Sequence, residues 1–173
     1  LTQIDTETRY IVLWTLLLLM GGAFYLFSNR EFVADVAPSS LAGGVGFGLL
    51  IGLPALALVA PALAAASRQL FPEMSDASVY LALVFAIPIG ETLFFRGAIQ
   101  ETRGFRVAAL AAGAWSLILF VPNRLPAEAV VIGVTVVGLA FAYTYVRQRY
   151  GLVAAWMCQV VVNVCLLFLS RLG

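Results

Sequence analysis

The stretch "AIPIGETLFFRGAIQ", Ala86 to Gln100, places a carboxylate, Glu91, and a guanidinium, Arg96, inside a strongly apolar run. An ionisable side chain at bilayer depth costs at least ~2.5 kcal/mol on insertion scales, so such a residue usually marks a site. The whole chain has 173 residues, of which 62% are hydrophobic and only 11% are charged. That composition does not suit an ordinary soluble surface. We therefore interpret the chain as a polytopic membrane protein.

Six apolar segments approach the length of roughly 20 residues that a helix needs to cross a hydrocarbon core. The first lacks the basic start and the small-residue cleavage site of a signal peptide, so we interpret it as a span. Ser75 or Asp76 is expected to cap the third helix. The sequence predicts an all-α fold of about six transmembrane helices, in one domain over residues 1–173. The segments run near residues 10–27, 41–65, 78–100, 106–121, 128–147 and 151–169.

Charge and residue usage exclude several classes of function. The net charge is only +1 and no basic run occurs, which argues against nucleic-acid binding. The chain contains no His, so it offers neither an imidazole base nor a His-bound metal site, and we expect no metal and no other cofactor. Cys158 and Cys165 are seven apart on one predicted helix, about 10 Å along its axis, too far for a disulfide.

Three glycines of the second segment, Gly44, Gly48 and Gly52, recur at four-residue spacing. This spacing places them on one helix face, where a neighbouring backbone can approach closely. We expect this face to be the packing surface of the second helix.

The backbone of the third segment is expected to be loosened just before Glu91. Pro88 lacks the N–H that would bond the carbonyl of Val84, and Gly90 follows. Residues five apart lie about 140° apart round an ideal α-helix, so Glu91 and Arg96 are expected to be poor partners. The alternative to a site is that Arg96 extends to the membrane interface and Glu91 is an isolated neutral acid.

Two amides lie four residues apart in the last segment, in "WMCQVVVNV". Gln159 and Asn163 therefore share one helix face and need hydrogen-bonding partners in the membrane. The simpler interpretation is hydrogen bonding between helices, worth about 0.6 kcal/mol per contact.

These motifs together resemble the signatures of the CPBP (CAAX protease and bacteriocin-processing, or Abi) intramembrane proteases. "ETLFFRG" is similar to the family's Glu-Glu-x-x-x-Arg signature, with Thr92 in place of the second Glu. "AIQETRGFRVAALAAGAWSLILFVPN" resembles the helix that ends in Phe-x-x-x-His, with Asn123 at the His position. Gln159 and Asn163 stand at the family's final His-x-x-x-Asn. The resemblance is strongest over residues 79–169.

The resemblance implies a role for each matching residue. Glu91 would activate the attacking water, Arg96 would be structural, and Asn163 would keep the terminal amide. Asn123 and Gln159 replace the family's histidines with carboxamides, which can donate to an oxyanion but cannot shuttle a proton near neutral pH. We therefore expect Glu91 to be the centre of a hydrogen-bonded amide cluster in a catalytically degenerate member of the family.

The leading hypothesis is a non-catalytic scaffold, assembly or regulatory subunit that binds other transmembrane segments. One alternative is an active glutamate-dependent intramembrane endopeptidase of the CAAX-processing type. Another, from a different class, is a small-molecule-binding or transport component built around one buried acid. The expected partners are other membrane proteins and the lipid bilayer, and the expected location is the plasma membrane of a prokaryote.

Overall fold

The computed structural model describes residues 6–28, 36–70, 74–120 and 126–169, and every regular element in these ranges is helical. Three segments are π-helical, named here π1 (Ala82–Ala86), π2 (Thr92–Ile99) and π3 (Val164–Leu169). The α-helices are α1 (Thr6–Phe27), α2 (Pro38–Leu70), α3 (Asp76–Leu81), α4 (Ile87–Glu91), α5 (Gln100–Phe120), α6 (Pro126–Tyr150) and α7 (Leu152–Asn163).

Four helical stretches of the described residues are long and apolar enough to cross a membrane. The first helix adds a shorter apolar stretch, Ile11–Phe27. The predicted all-α membrane bundle is therefore confirmed, while the count of six spans stays a prediction. The four stretches are Pro38–Leu58, Asp76–Phe120, Ala129–Tyr150 and Leu152–Leu169.

The 45-residue stretch Asp76–Phe120 doubles back on itself at Gly104. Gly104 has a φ of 82° and a ψ of 177°, a conformation that only glycine adopts without strain. The returning helix α5 brings the ring of Trp115 to within 6.2 Å of the ring of Phe95 in π2, measured between centroids. The chain thus forms an antiparallel helical hairpin with Glu91 on one arm and Trp115 on the other.

The glycine face of α2 packs against α7, as the sequence predicts. A Cβ atom at Gly44 would overlap the carbonyl oxygen of Ala154, and one at Gly48 would lie 2.7 Å from the side chain of Val161. A Cβ atom at Gly52 would lie 3.2 Å from Cβ of Cys165. Because glycine carries no side chain, the two helices approach closely along this face.

The start of α3 and the two cysteines also follow the sequence predictions. Ser75 is the N-cap of α3, and its hydroxyl oxygen accepts a hydrogen bond from the backbone N–H of Ser78 at 3.2 Å. Cys158 and Cys165 are both buried and unpaired.

Candidate functional site

The carboxylate of Glu91 lies at the end of α4, near the middle of the bundle, with only 8% of the residue exposed. Its Oε1 accepts hydrogen bonds from the indole N–H groups of Trp14 at 3.2 Å and Trp115 at 3.0 Å. Its Oε2 accepts from Nε2 of Gln159 at 2.6 Å. Donors from three other helices, α1, α5 and α7, therefore converge on one buried acid.

Small residues and turns place these donors. Gly90 lets α1 approach, because a Cβ atom there would lie 3.0 Å from the backbone oxygen of Trp14. The turn at Gly104 returns Trp115 to the level of Glu91, and α7 carries Gln159 inward with only 2% of its surface exposed. The site thus depends on close helix packing rather than on loops.

The side-chain amide of Gln159 can adopt only one orientation. Its Oε1 accepts from Nη1 of Arg96 at 3.2 Å and from the hydroxyl of Thr92 at 3.3 Å. Because a guanidinium carries donors only, the amide oxygen must face Arg96, and the amide nitrogen must face Glu91. Gln159 therefore connects a buried cation and a buried acid by hydrogen bonds to both.

Arg96 points into the bundle rather than toward the membrane interface, with 2% of the residue exposed. Its Nη1 lies 4.0 Å from Oε2 of Glu91, and its guanidinium carbon lies 5.1 Å from the ring centroid of Tyr143. The alternative in which Arg96 extends to the interface is wrong.

The expectation that Glu91 and Arg96 lie on different helix faces is also wrong, because it assumes α-helical geometry, although their nearest atoms stay 4.0 Å apart and each side chain bonds Gln159. Residues 92–99 form the π-helix π2, in which each turn closes by a bond between residues five apart. A spacing of five therefore returns Arg96 to the face that carries Glu91. π-helical turns of this kind occur frequently at functional sites.

Asn163 satisfies a carbonyl that the helix itself leaves unpaired. In π1 the N–H of Ile87 bonds the carbonyl of Ala82, five residues back. The same pattern would pair the carbonyl of Leu83 with residue 88, but Pro88 has no N–H. Nδ2 of Asn163 donates to that carbonyl instead, at 3.2 Å.

A small cavity of about 60 Å³ borders the cluster of side chains that surround Glu91. A water molecule needs at least ~10 Å³ of such space, so the cavity can hold a few waters. Its wall includes Glu91 and Asn163 together with two hydroxyls, those of Ser116 and Thr135, which donate to backbone carbonyls of their own helices. Among the described residues, no group of three or more His, Cys, Asp or Glu side chains could hold a metal ion.

The structure brings together four of the residues singled out in the sequence: Glu91, Thr92, Arg96 and Gln159. Asn163 lines the same cavity but bonds the backbone of π1. Asn123 lies outside the described residues.

Three aromatic residues of the cluster were missed from the sequence: Trp14, Trp115 and Tyr143. Tryptophan in membrane proteins is enriched at the interfaces, so Trp115, which lies well inside the predicted span 106–121, could have signalled a buried acceptor for its N–H. Trp14 lies near the start of the predicted span 10–27 and gives no such signal. Tyr143 gives no comparable signal in the sequence.

The comparison with known proteins identifies one family. The sequence model of the family described as "Type II CAAX prenyl endopeptidase Rce1-like" matches residues 73–165, more than half of the chain. No curated protein and no solved structure matches. The matched region contains Glu91, Arg96, Gln159 and Asn163, whereas Trp14 lies outside it. The chain therefore belongs to the Rce1-like family of type II CAAX prenyl endopeptidases, as the sequence signatures indicate, and is a CAAX-protease-like integral membrane protein.

Proposed function

We propose that this chain is a catalytically degenerate Rce1-like protein that acts as a scaffold, assembly or regulatory subunit for other transmembrane segments. The observation that carries the proposal is that three N–H donors, those of Trp14, Trp115 and Gln159, already bind the carboxylate of Glu91. In this account Glu91 holds helices together, and the bundle offers its surface to partner helices in the membrane.

Hydrogen-bond capacity supports a structural role for the acid. An ionised carboxylate accepts at about four lone-pair positions, and here three donors are bound while Nη1 of Arg96 stands 4.0 Å from Oε2. A general base must have a lone pair free for the proton it removes. The chain also contains no His that could take over the proton transfer. Of the lone pairs of Glu91, about one is therefore left to accept a proton from a reacting water.

Energetics supports the same role. A hydrogen bond to a charged group contributes about 1.5–3 kcal/mol, so three such bonds at one buried acid are a large fraction of a typical stability. Each bond joins Glu91 to a different helix, which makes the acid a junction of the bundle.

Crosslinking in native membranes tests the scaffold proposal. The chain is purified with an affinity tag after mild crosslinking, and co-purifying membrane proteins are identified by mass spectrometry. We expect a defined set of transmembrane partners, enriched over a tagged membrane protein of similar size. A chain that purifies alone would contradict the proposal.

The second candidate is a glutamate-dependent endopeptidase that cleaves prenylated or transmembrane substrates. The cavity of about 60 Å³ favours it, because water beside Glu91 could act as the nucleophile. The amide of Asn163 in the same wall could donate to an oxyanion. Purified protein is incubated with a prenylated CAAX peptide. Cleavage by the wild type that disappears in a folded Glu91→Gln variant would establish this function, and identical product patterns would exclude it.

A further inference from the structure

Three polar side chains, those of Arg96, Gln100 and Arg147, follow one another along α6 from the buried cluster outward and are called the strip here. Arg96 and Gln100 are four residues apart, and both face this helix. Arg96 lies over the ring of Tyr143, and Nε2 of Gln100 donates to the backbone carbonyl of Thr144 at 3.1 Å. Arg96 and Gln100 are respectively 2% and 7% exposed, so the strip is enclosed by protein.

The strip ends at an ion pair near the turns at residues 104 and 151. Nη2 of Arg147 donates to Oε1 of Glu101 at 2.7 Å, and the hydroxyl of Tyr25 donates to the same oxygen at 3.3 Å. The side chains of Arg147 and Glu101 are each 24% exposed. This end of the strip therefore reaches the surface of the bundle.

Buried atoms without a hydrogen-bonding partner are concentrated in the strip. Five buried side-chain nitrogen and oxygen atoms of the described residues have none. Three of the five belong to the strip, namely Nε of Arg96, Oε1 of Gln100 and Nε of Arg147. Since most buried polar atoms in proteins are paired, three exceptions in one strip point to a ligand that binds there.

The chemistry of the three atoms identifies the class of ligand. The two guanidinium nitrogens can only donate, whereas the oxygen of Gln100 can only accept. The amide of Gln100 cannot turn over, because its nitrogen already donates to a carbonyl. A cation would be repelled by the two guanidinium groups, and an anion would be unfavourable beside the oxygen of Gln100. A water molecule both accepts and donates, and it typically makes about three hydrogen bonds in a buried site.

We propose that ordered water molecules bridge Arg96, Gln100 and Arg147 and form a hydrated route between the surface of the bundle and the cluster around Glu91. The wall of the cavity beside Glu91 includes Arg96 but neither Gln100 nor Arg147, so the route joins this cavity at Arg96 and extends beyond it to the surface. It gives the cluster aqueous contact from the end of the bundle where residues 104 and 151 lie. The route does not depend on whether Glu91 is structural or catalytic.

Solid-state NMR of the full chain in bilayers tests the route. The protein is labelled with ¹⁵N-arginine, and magnetisation transfer from water to the Nε–H of Arg96 is measured. Two variants are compared with the wild type. Gln100→Leu removes the accepting oxygen from the route, whereas Thr135→Leu fills the cavity beside Glu91 from the side of α6 and leaves Gln100 and Arg147 unchanged.

We expect a water cross-peak at Nε of Arg96 in the wild type and in Thr135→Leu, with at least a threefold loss in Gln100→Leu. The absence of a cross-peak in the wild type would overturn the proposal. So would a peak that persists in Gln100→Leu or disappears in Thr135→Leu, because the water would then come from the cavity. If Gln100→Leu does not fold, the wild type and Thr135→Leu decide the question.

Discussion

Gln159 donates its side-chain amide to the carboxylate of Glu91 at 2.6 Å, 68 residues away in the sequence. The same amide accepts from Arg96 at 3.2 Å. A buried acid and a buried cation are thus joined through one neutral residue, and the orientation of that residue follows from the charge of Arg96. In this position Gln159 completes the polar core.

Removing one indole donor should destabilise the bundle. In Trp115→Phe the ring is largely kept, but Oε1 of Glu91 loses a bond of 3.0 Å. We expect a loss of about 1.5–3 kcal/mol in the free energy of unfolding, measured by reversible denaturation in mixed micelles. Trp156→Phe is the matched control, because the indole N–H of Trp156 has no hydrogen-bonding partner among the residues that the structure describes, so its removal should cost clearly less. Equal losses in the two variants would contradict the structural role of the indole.

The contribution of Asn163 should depend on Pro88. Asn163→Leu leaves the carbonyl of Leu83 unpaired, so a loss of about 1–3 kcal/mol in the free energy of unfolding is expected. In a Pro88→Ala background, residue 88 regains an N–H that can bond this carbonyl. The cost of Asn163→Leu should then fall by about 1 kcal/mol, measured as a double-mutant cycle by the same denaturation method. Strictly additive effects would show that the two residues are not coupled.

Much of this architecture follows from the sequence. The apolar segments, the glycine face of α2 and the shared face of Gln159 and Asn163 are readable from spacing, whereas the grouping of Glu91 with an amide of the last helix was expected from the family resemblance. These features depend on local composition and on the α-helical period, and that period holds for most of the chain.

The relation between Glu91 and Arg96 could not be predicted in the same way. A spacing of five separates two residues on an α-helix and brings them together on a π-helix. Pro88 and Gly90 indicate a loosened backbone, but the π-helical register of π2 is accompanied by contacts from another helix, those of Thr92 and Arg96 with Gln159. The donors Trp14 and Trp115 likewise became partners of Glu91 only through the packing of α1 and α5.

Close packing of α2 on α7 gives a further prediction. Gly44→Ala would place a methyl group on the carbonyl oxygen of Ala154, so the helices must separate. We expect a loss of about 1–3 kcal/mol in the free energy of unfolding, typical of overpacking. Gly46→Ala is the control, since no atom of the described residues lies within 4 Å of a Cβ atom there. Because alanine favours a helix over glycine by up to ~1 kcal/mol, this variant should not lose stability. A Gly44→Ala variant as stable as Gly46→Ala would mean that the two helices are not in contact at this position.

The ring of Tyr143 should matter more than its hydroxyl. Its centroid lies 5.1 Å from the guanidinium carbon of Arg96, a contact that the ring makes and the hydroxyl does not. Tyr143→Phe should therefore retain most of the stability, whereas Tyr143→Leu should lose up to ~2 kcal/mol, the strength of a desolvated cation–π contact. Thermal unfolding of both variants in detergent measures the difference. Equal destabilisation by Phe and Leu would indicate that the hydroxyl, not the ring, is what the site uses.

The most direct measurement exchanges the acid and the amide. In Glu91→Gln all three groups that face residue 91 are donors, so the new NH₂ group must face one of them, and a loss of at least ~2 kcal/mol is expected. In the double variant Glu91→Gln with Gln159→Glu, the amide at 91 accepts from both indoles and donates to the carboxylate at 159. That carboxylate accepts from Arg96 and Thr92, so every hydrogen bond is restored.

The free energies of unfolding of the wild type, both single variants and the double variant are compared in the same micelles. If Glu91 is a structural acceptor, the double variant recovers most of the stability that Glu91→Gln loses. A double variant no more stable than Glu91→Gln would contradict this account of the site.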